Sequence, residues 1–153
     1  MIRELRQGYL AMLIVLVVQF LLGMATNLFV TVPTSHPGAN PPEYFTGVAQ
    51  SVTWAIFHGP LLLVPHAILG LLLVVFGFRF MLVAIRSRHR PTVITAVIGA
   101  IAILGAGFNG GSYLNYHEDF SSMIMASFFA IAVTSYAIGL WALPPEPGSR
   151  KPA

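Results

Sequence analysis

Apolar residues run through the chain in long unbroken stretches, and the charged residues are gathered between them. No Asp, Glu, Lys or Arg lies between Arg6 and Glu43, or from Tyr44 to Phe78. About 20 apolar residues suffice for a helix to cross the hydrocarbon core of a bilayer. By that measure the pattern predicts four membrane-spanning helices. The first runs from Gly8 to about Val32, where Pro33 stops it. The second starts near Gly59-Pro60 and runs to about Ile85. Pro60 suits a first helical turn, where its missing N–H costs nothing, and Arg79 can snorkel to the headgroups. The third runs from Pro91 to about Asn109 or Tyr113, and the fourth from about Phe120 to Leu143, ended by Pro144-Pro145. The first apolar stretch is longer than a signal-peptide core and no A-x-A site follows it, so it reads as a retained helix. Between the first two spans, Pro33 to Pro42 (PTSHPGANPP) should lack regular structure. Glu43 to Phe57 reads as a short interfacial helix, with Tyr44, Phe45, Trp54 and Phe57 at headgroup level. The tail from 144 to 153 reads as a short disordered end, and no tandem repeat is visible.

Composition agrees with this reading. Of 153 residues, 56% are hydrophobic and 8% charged, and the mean hydropathy is +0.78. A soluble domain carries roughly 25% charged residues, so this chain cannot cover a water-facing surface and is too apolar to be disordered. The fold class expected is all-α: a single integral membrane domain built as a bundle of four transmembrane helices. Cysteine is absent, which removes disulfides, thiolate metal sites, iron–sulfur clusters and a cysteine nucleophile. The net charge of +3 and the pI near 9.7 do not call for nucleic acid, because the basic residues flank apolar segments. Arg3, Arg6, Arg79, Arg86, Arg88, Arg90, Arg150 and Lys151 lie at the N-terminus, around the second connection and in the tail. Glu43, Glu118 and Asp119 lie in the other two connections. The positive-inside rule then places both termini in the cytoplasm and the two acidic connections outside, in a multi-pass protein of the bacterial inner membrane.

Lipid supplies no hydrophobic drive for helix association, so small and polar faces must pack the bundle. The first span offers Gln19, Gly23, Thr26 and Asn27. The second offers Gly70 and Gly77 on the face of His66. The third offers Ala102, Ala106 and Gly110, with Gly107 and Gly111, and the fourth offers Ala126, Ala130 and Thr134. These faces either serve packing alone or leave room for a ligand.

The histidines are the candidate chemistry. His36, His58, His66 and His117 fall on the outward side with Glu43, Glu118 and Asp119, whereas His89 sits among arginines. A polar side chain at membrane depth is a functional candidate by default. His66, in PHAILG, has Gly70 one turn and Gly77 three turns along its face, as an axial imidazole beside a flat macrocycle would need. The alternative is a structural histidine bonded to Asn27 or Ser127. His58 is eight residues earlier, about 80° around and about 12 Å along a continuous helix, too far to share one metal ion with His66. His117 stands in NYHEDF, where Glu118 and Asp119 suit a helix N-terminus and Asp119 suits an N-cap. Phe108 to Tyr113 reads as a glycine-rich helix end. No P-loop, H-E-x-x-H or G-x-S-x-G pattern occurs, so an enzyme acting on its own is not expected.

Gln19-Phe20-Leu21-Leu22-Gly23, a long outward loop and then His66 at the outer end of the second span together resemble one four-helix half of the haem A synthase family. That resemblance implies outward-side histidines ligating haem. The family's charged residue after the first-span glycine is replaced here by Ala25-Thr26-Asn27, and its arginine after the second-span histidine by Ala67. The resemblance therefore implies a haem-holding bundle without the synthase reaction. The chain also looks like other small four-helix membrane proteins of bacteria.

Three functions stay open at this point. One is a bundle for haem b, used in electron transfer or haem sensing. In it His66 and His117 are the iron ligands, with His58 in place of His117 as the variant, and Gly70, Gly23, Gly107 and Asn27 shape the site. Another is an accessory or interaction subunit that docks a membrane-protein partner or another copy of itself. The last is an outward metal site of His36, His58 and His117 with Glu43 or Glu118; Met123 and Met125 are the only methionine pair near it.

Overall fold

A computed structural model describes residues 1–145. Among them the chain forms five helices and no strand: α1 (Ile2–Phe29), α2 (Tyr44–Phe57), α3 (Leu63–Arg86), α4 (Arg90–Tyr116) and α5 (Asp119–Trp141). Four of these, α1, α3, α4 and α5, are long and apolar enough to cross a membrane. The fifth, α2, has 14 residues and is the short helix expected between the first two spans. The tail from 146 onward lies outside the described residues.

Helices α1, α3, α4 and α5 close into a ring. Helix α1 packs on α3 and α5, α4 packs on α3 and α5, and α2 lies across α3 and α4. The start of α1, the end of α3, the start of α4 and the end of α5 share one end of the bundle. There Tyr9 packs edge-on against Phe80 at 4.8 Å and against Tyr136 at 6.0 Å. Its hydroxyl donates to Thr92 O at 2.9 Å and lies 2.7 Å from Thr95 Oγ1, which ties α1 across the bundle to α4. All the basic residues described lie at this end, or, for Arg79, toward it.

The inward stripes follow a heptad step of three and four residues. On α1 the stripe is Leu5, Tyr9, Met12 and Leu16, all buried, then Gln19, Gly23 and Thr26. On α3 it is Leu63, His66, Gly70, Leu73, Gly77, Phe80 and Ala84. Large apolar side chains such as Ile14, Val17, Leu21, Leu71 and Val75 point outward, as a lipid-facing surface requires. Where the helices meet, rings sit against glycines. A Cβ at Gly99 would lie 2.6 Å from the Tyr136 ring, and one at Gly105 2.9 Å from Phe128. A Cβ at Gly139 would strike Tyr9, and one at Gly8 would strike Phe80.

Several boundaries and faces differ from the sequence expectation. Helix α1 begins at Ile2, since Arg3, Glu4 and Arg6 extend the helix past its apolar part. It ends at Phe29, where Val30 turns extended. Helix α3 begins at Leu63, after a turn in which Pro60 O accepts from Leu63 and Val64 N–H. Pro65 falls in its first turn, where a missing donor is tolerated. Helix α4 continues through its glycines to Tyr116, because Phe128, Met125 and Val48 pack on them. The small-residue face expected on α5 was misplaced. Ala126, Ala130 and Thr134 are exposed, and the buried face is Ser121, Ala132, Ser135, Tyr136 and Gly139. That face wins because it carries the rings that fit the glycines of α4.

The two central tyrosines make opposite predictions. The Tyr9 hydroxyl is bonded, whereas the Tyr136 hydroxyl is buried without a partner. Tyr9→Phe should cost about 1 kcal/mol of stability. Tyr136→Phe should cost nothing or stabilise, because it removes an unsatisfied polar group. Unfolding of both variants in the same mild detergent checks this.

Candidate functional site

The half of the α1–α3 seam away from the basic end is its polar half. Thr26 Oγ1 lies 2.8 Å from Leu22 O in its own helix and 3.1 Å from Leu62 O at the start of α3. One hydroxyl thus bridges the two helices. One turn deeper, the His66 ring sits in the notch left by Gly23: a Cβ there would lie 2.9 Å from His66 Cε1. Next along the seam, Gln19 Nε2 donates to His66 O at 3.1 Å and lies against Gly70. Each glycine therefore receives a polar side chain from the facing helix.

Two polar atoms of this seam are buried without a partner, His66 Nδ1 and Gln19 Oε1. An unpaired polar atom in a dry environment costs free energy, and buried polar groups nearly always find a partner. Below them the seam turns apolar at Leu16 and Leu73.

The end of the bundle opposite the basic end is closed by a polar cap. The loop before α2 folds onto the end of α4, where Asn40 N–H donates to Asn115 O at 2.9 Å. The Asn115 side chain is fully buried, and its amide meets Ser51 Oγ at 2.6 Å. With its nitrogen turned toward Ser51, the amide also reaches the carbonyls of Gly38, Gly47 and Gly111 and accepts from Val48 N–H. Gly38 has a φ of 92° and lies against Ser51 and the Gly47 carbonyl; a side chain fits neither the angle nor the space. His36 stacks on Trp54 at 4.2 Å, with Nε2 3.1 Å from Leu114 O and Nδ1 2.9 Å from Pro37 O. Tyr44 Oη lies 2.8 Å from Ser112 Oγ. Glu43 is the N-cap of α2, its oxygens accepting from Phe45 N–H at 2.9 Å and Thr46 N–H at 2.7 Å. Hydrogen bonds from the Thr46 side chain, then from the Thr46 and Phe45 backbone, hold its carboxyl below the ordinary value of 4.5.

The sequence-predicted residues divide between these two places. His66, Gly23 and Gly70 meet at the seam. Asn27 is exposed and outside it, Ser127 is exposed and donates to Met123 O, and neither partners His66. Gly107 is exposed, with only Val74 within 4 Å of a Cβ. His58 is exposed and forms the C-cap of α2, so it shares no helix with His66. His117 is the C-cap of α4, in the left-handed region at a φ of 57°. Its ring lies 6.1 Å from His36 and 6.2 Å from Tyr113, and its Nε2 is buried without a partner. Among the described residues, no hydrogen bond or ring contact joins His66 to His117 or His58. Among the described residues, no group of three or more His, Asp or Glu side chains gathers to hold a metal ion. The His36–His58–His117 set is thus not assembled: both His36 nitrogens face carbonyls, and Glu43 caps a helix. Glu118, not Asp119, is the N-cap of α5, without a side-chain cap bond. Asp119 is its first helical residue, where it still favours the helix dipole. Asn115 and Ser51 escaped sequence reading. The available signal was Asn115 one turn after Gly111, a polar residue continuing a small-residue face.

No family model, no curated protein and no solved structure matches the chain.

Two predictions concern the cap. Asn115→Ala should destabilise by about 2 kcal/mol, because Ser51 and the loop lose their buried partner; thermal unfolding in detergent reads this. The Glu43 carboxyl is more acidic folded than unfolded, so its contribution is present above the ordinary carboxylate value and is lost as pH falls through the lowered one. Glu43→Ala should therefore lower the melting temperature at pH 7, and the gap to the parent should narrow below pH 4.5.

Proposed function

We propose that the chain is a membrane bundle that binds haem b at its outer-leaflet end, with His66 as an iron ligand. The supporting observation is the His66 ring itself. It sits in the notch that Gly23 leaves on the facing helix, with its backbone carbonyl bonded to Gln19, yet Nδ1 is left buried without a partner. A helix face that confines an imidazole at membrane depth and leaves its nitrogen unused is hard to account for by packing alone.

The donor chemistry fits a haem. Imidazole is the axial ligand of many haem proteins, and a four-helix bundle can hold such a cofactor between facing helices. Gly23 and Gly70 leave notches on the two facing helices, and the His66 ring and Gln19 occupy them in this structure. Bound haem would supply one-electron chemistry. The chain's own part is to present the imidazole from α3, to hold that turn through the Gln19–His66 backbone bond, and to exclude water below with Leu16 and Leu73. His117, with its buried unpartnered Nε2, is the second candidate ligand. Both termini and the Arg79–Arg90 connection belong to the cytoplasmic side in this reading, and the loop over α2 to the outside. Its support is that the basic residues described lie at the end of the bundle opposite Glu43, Glu118 and Asp119.

The dithionite-reduced minus oxidised spectrum of the purified protein tests the proposal. A sharp b-type signal that disappears in His66→Ala is the expected result. A flat spectrum after haem supplementation, or a signal unchanged in His66→Ala, overturns it.

A further inference from the structure

At the basic end of the bundle the α1–α3 seam opens sideways into a groove of about 680 Å³. Its floor and walls are apolar, with Ala11, Val15, Phe76 and Val83 among them, and Arg79 and Arg86 stand on its α3 side. The volume lies within the range of roughly 300–1,000 Å³ typical of small-molecule sites. The two arginines are seven residues apart, hence on one face of the helix and about 10 Å apart along it. Arg79 lies seven residues inside the end of a membrane-spanning helix. Among the described residues, neither arginine has a hydrogen-bond or ion-pair partner. Glu4, the one acid lining the groove, is paired with the N-terminal amine at 3.4 Å.

Unpaired guanidinium groups beside an apolar groove, on the membrane-facing side of a helix pair, have one natural complement. It carries a phosphate at headgroup depth and an acyl chain below it. We propose that this groove is a binding site for an anionic phospholipid, with Arg79 and Arg86 holding the phosphate and the apolar walls holding a chain. Arginine suits this role because its planar fork meets two phosphate oxygens at once. Basic pockets between transmembrane helices recognise anionic headgroups in this way. The apolar part separates the site from a diffuse attraction to a charged surface, since it requires the chain as well as the charge.

The test uses the full-length protein, stripped of lipid in a neutral detergent, and reads lipid adducts by native mass spectrometry and thermal stability. Palmitoyl-oleoyl phosphatidylglycerol should bind and raise the melting temperature, and phosphatidylcholine with the same chains should not. Arg79→Gln with Arg86→Gln should weaken phosphatidylglycerol binding by roughly 30-fold, at about fivefold per arginine. Arg88→Gln with Arg90→Gln, outside the groove, should have little effect. Ala11→Phe keeps every charge but fills the groove, and should also weaken binding; it serves if the arginine variant does not fold. Equal binding of phosphatidylcholine overturns the proposal. So does an equal effect of the two arginine pairs, or full stabilisation by inorganic phosphate or glycerol phosphate, which would mark a plain anion site. Parent-like phosphatidylglycerol binding by Ala11→Phe overturns it as well.

Discussion

Inside a bilayer an apolar side chain gains nothing by turning inward, because lipid tails solvate it as well as a protein core would. Helices must therefore be held by close backbone approach and by the polar contacts that approach permits. In this bundle the device is a ring set against a glycine. Tyr9 meets Gly139, Phe80 meets Gly8, Tyr136 meets Gly99, Phe128 meets Gly105 and His66 meets Gly23. Each pair places one large side chain where the facing helix has none. The Tyr9 hydroxyl then reaches α4 across the basic end. The same heptad step brings Thr26, Gln19 and His66 together at the other end of the α1–α3 seam.

That seam explains why the two ends of one helix pair differ in character. Toward the acidic end its notches receive polar side chains, and two polar atoms stay unpartnered. Toward the basic end, aromatic rings turn inward to α4 and α5, and the outer edge between α1 and α3 is left as an apolar groove flanked by Arg79 and Arg86. A haem ligand at one end and a lipid site at the other are thus two uses of the same seam, and they draw on different residues.

The spans were legible from the sequence because charge is nearly absent over long stretches. The short helix before α3 was legible because aromatic residues cluster between Glu43 and Phe57. The inward faces were harder to read. Hydropathy carries little information when lipid-facing and inward-facing positions are both apolar, so the small residues had to serve as the guide. They succeeded on α1 and α3, where Gly23 and Gly70 do face the seam. They failed on α5, where Ala126, Ala130 and Thr134 look small enough to pack but are exposed on the outside of the bundle. The deciding feature there was Tyr136 and Phe128, whose fit to Gly99 and Gly105 belongs to two helices at once. Asn115 was illegible for a similar reason: its partners come from the loop at Gly38, from Gly47 and Ser51 of α2, and from Gly111 of its own helix.

The pairing of α1 with α3 along this seam is the claim on which both sites depend. The chain contains no cysteine, so an introduced pair reports on it without interference. Gln19→Cys with Gly70→Cys, treated with a short bifunctional thiol cross-linker in detergent and in membranes, should be joined within one chain, because the Gln19 side chain reaches from α1 to within 3.2 Å of the Cβ position of Gly70. Phe20→Cys with Gly70→Cys should not, since Phe20 faces α5 and stacks on Phe129. Efficient cross-linking of the Phe20 pair with none of the Gln19 pair would contradict the account.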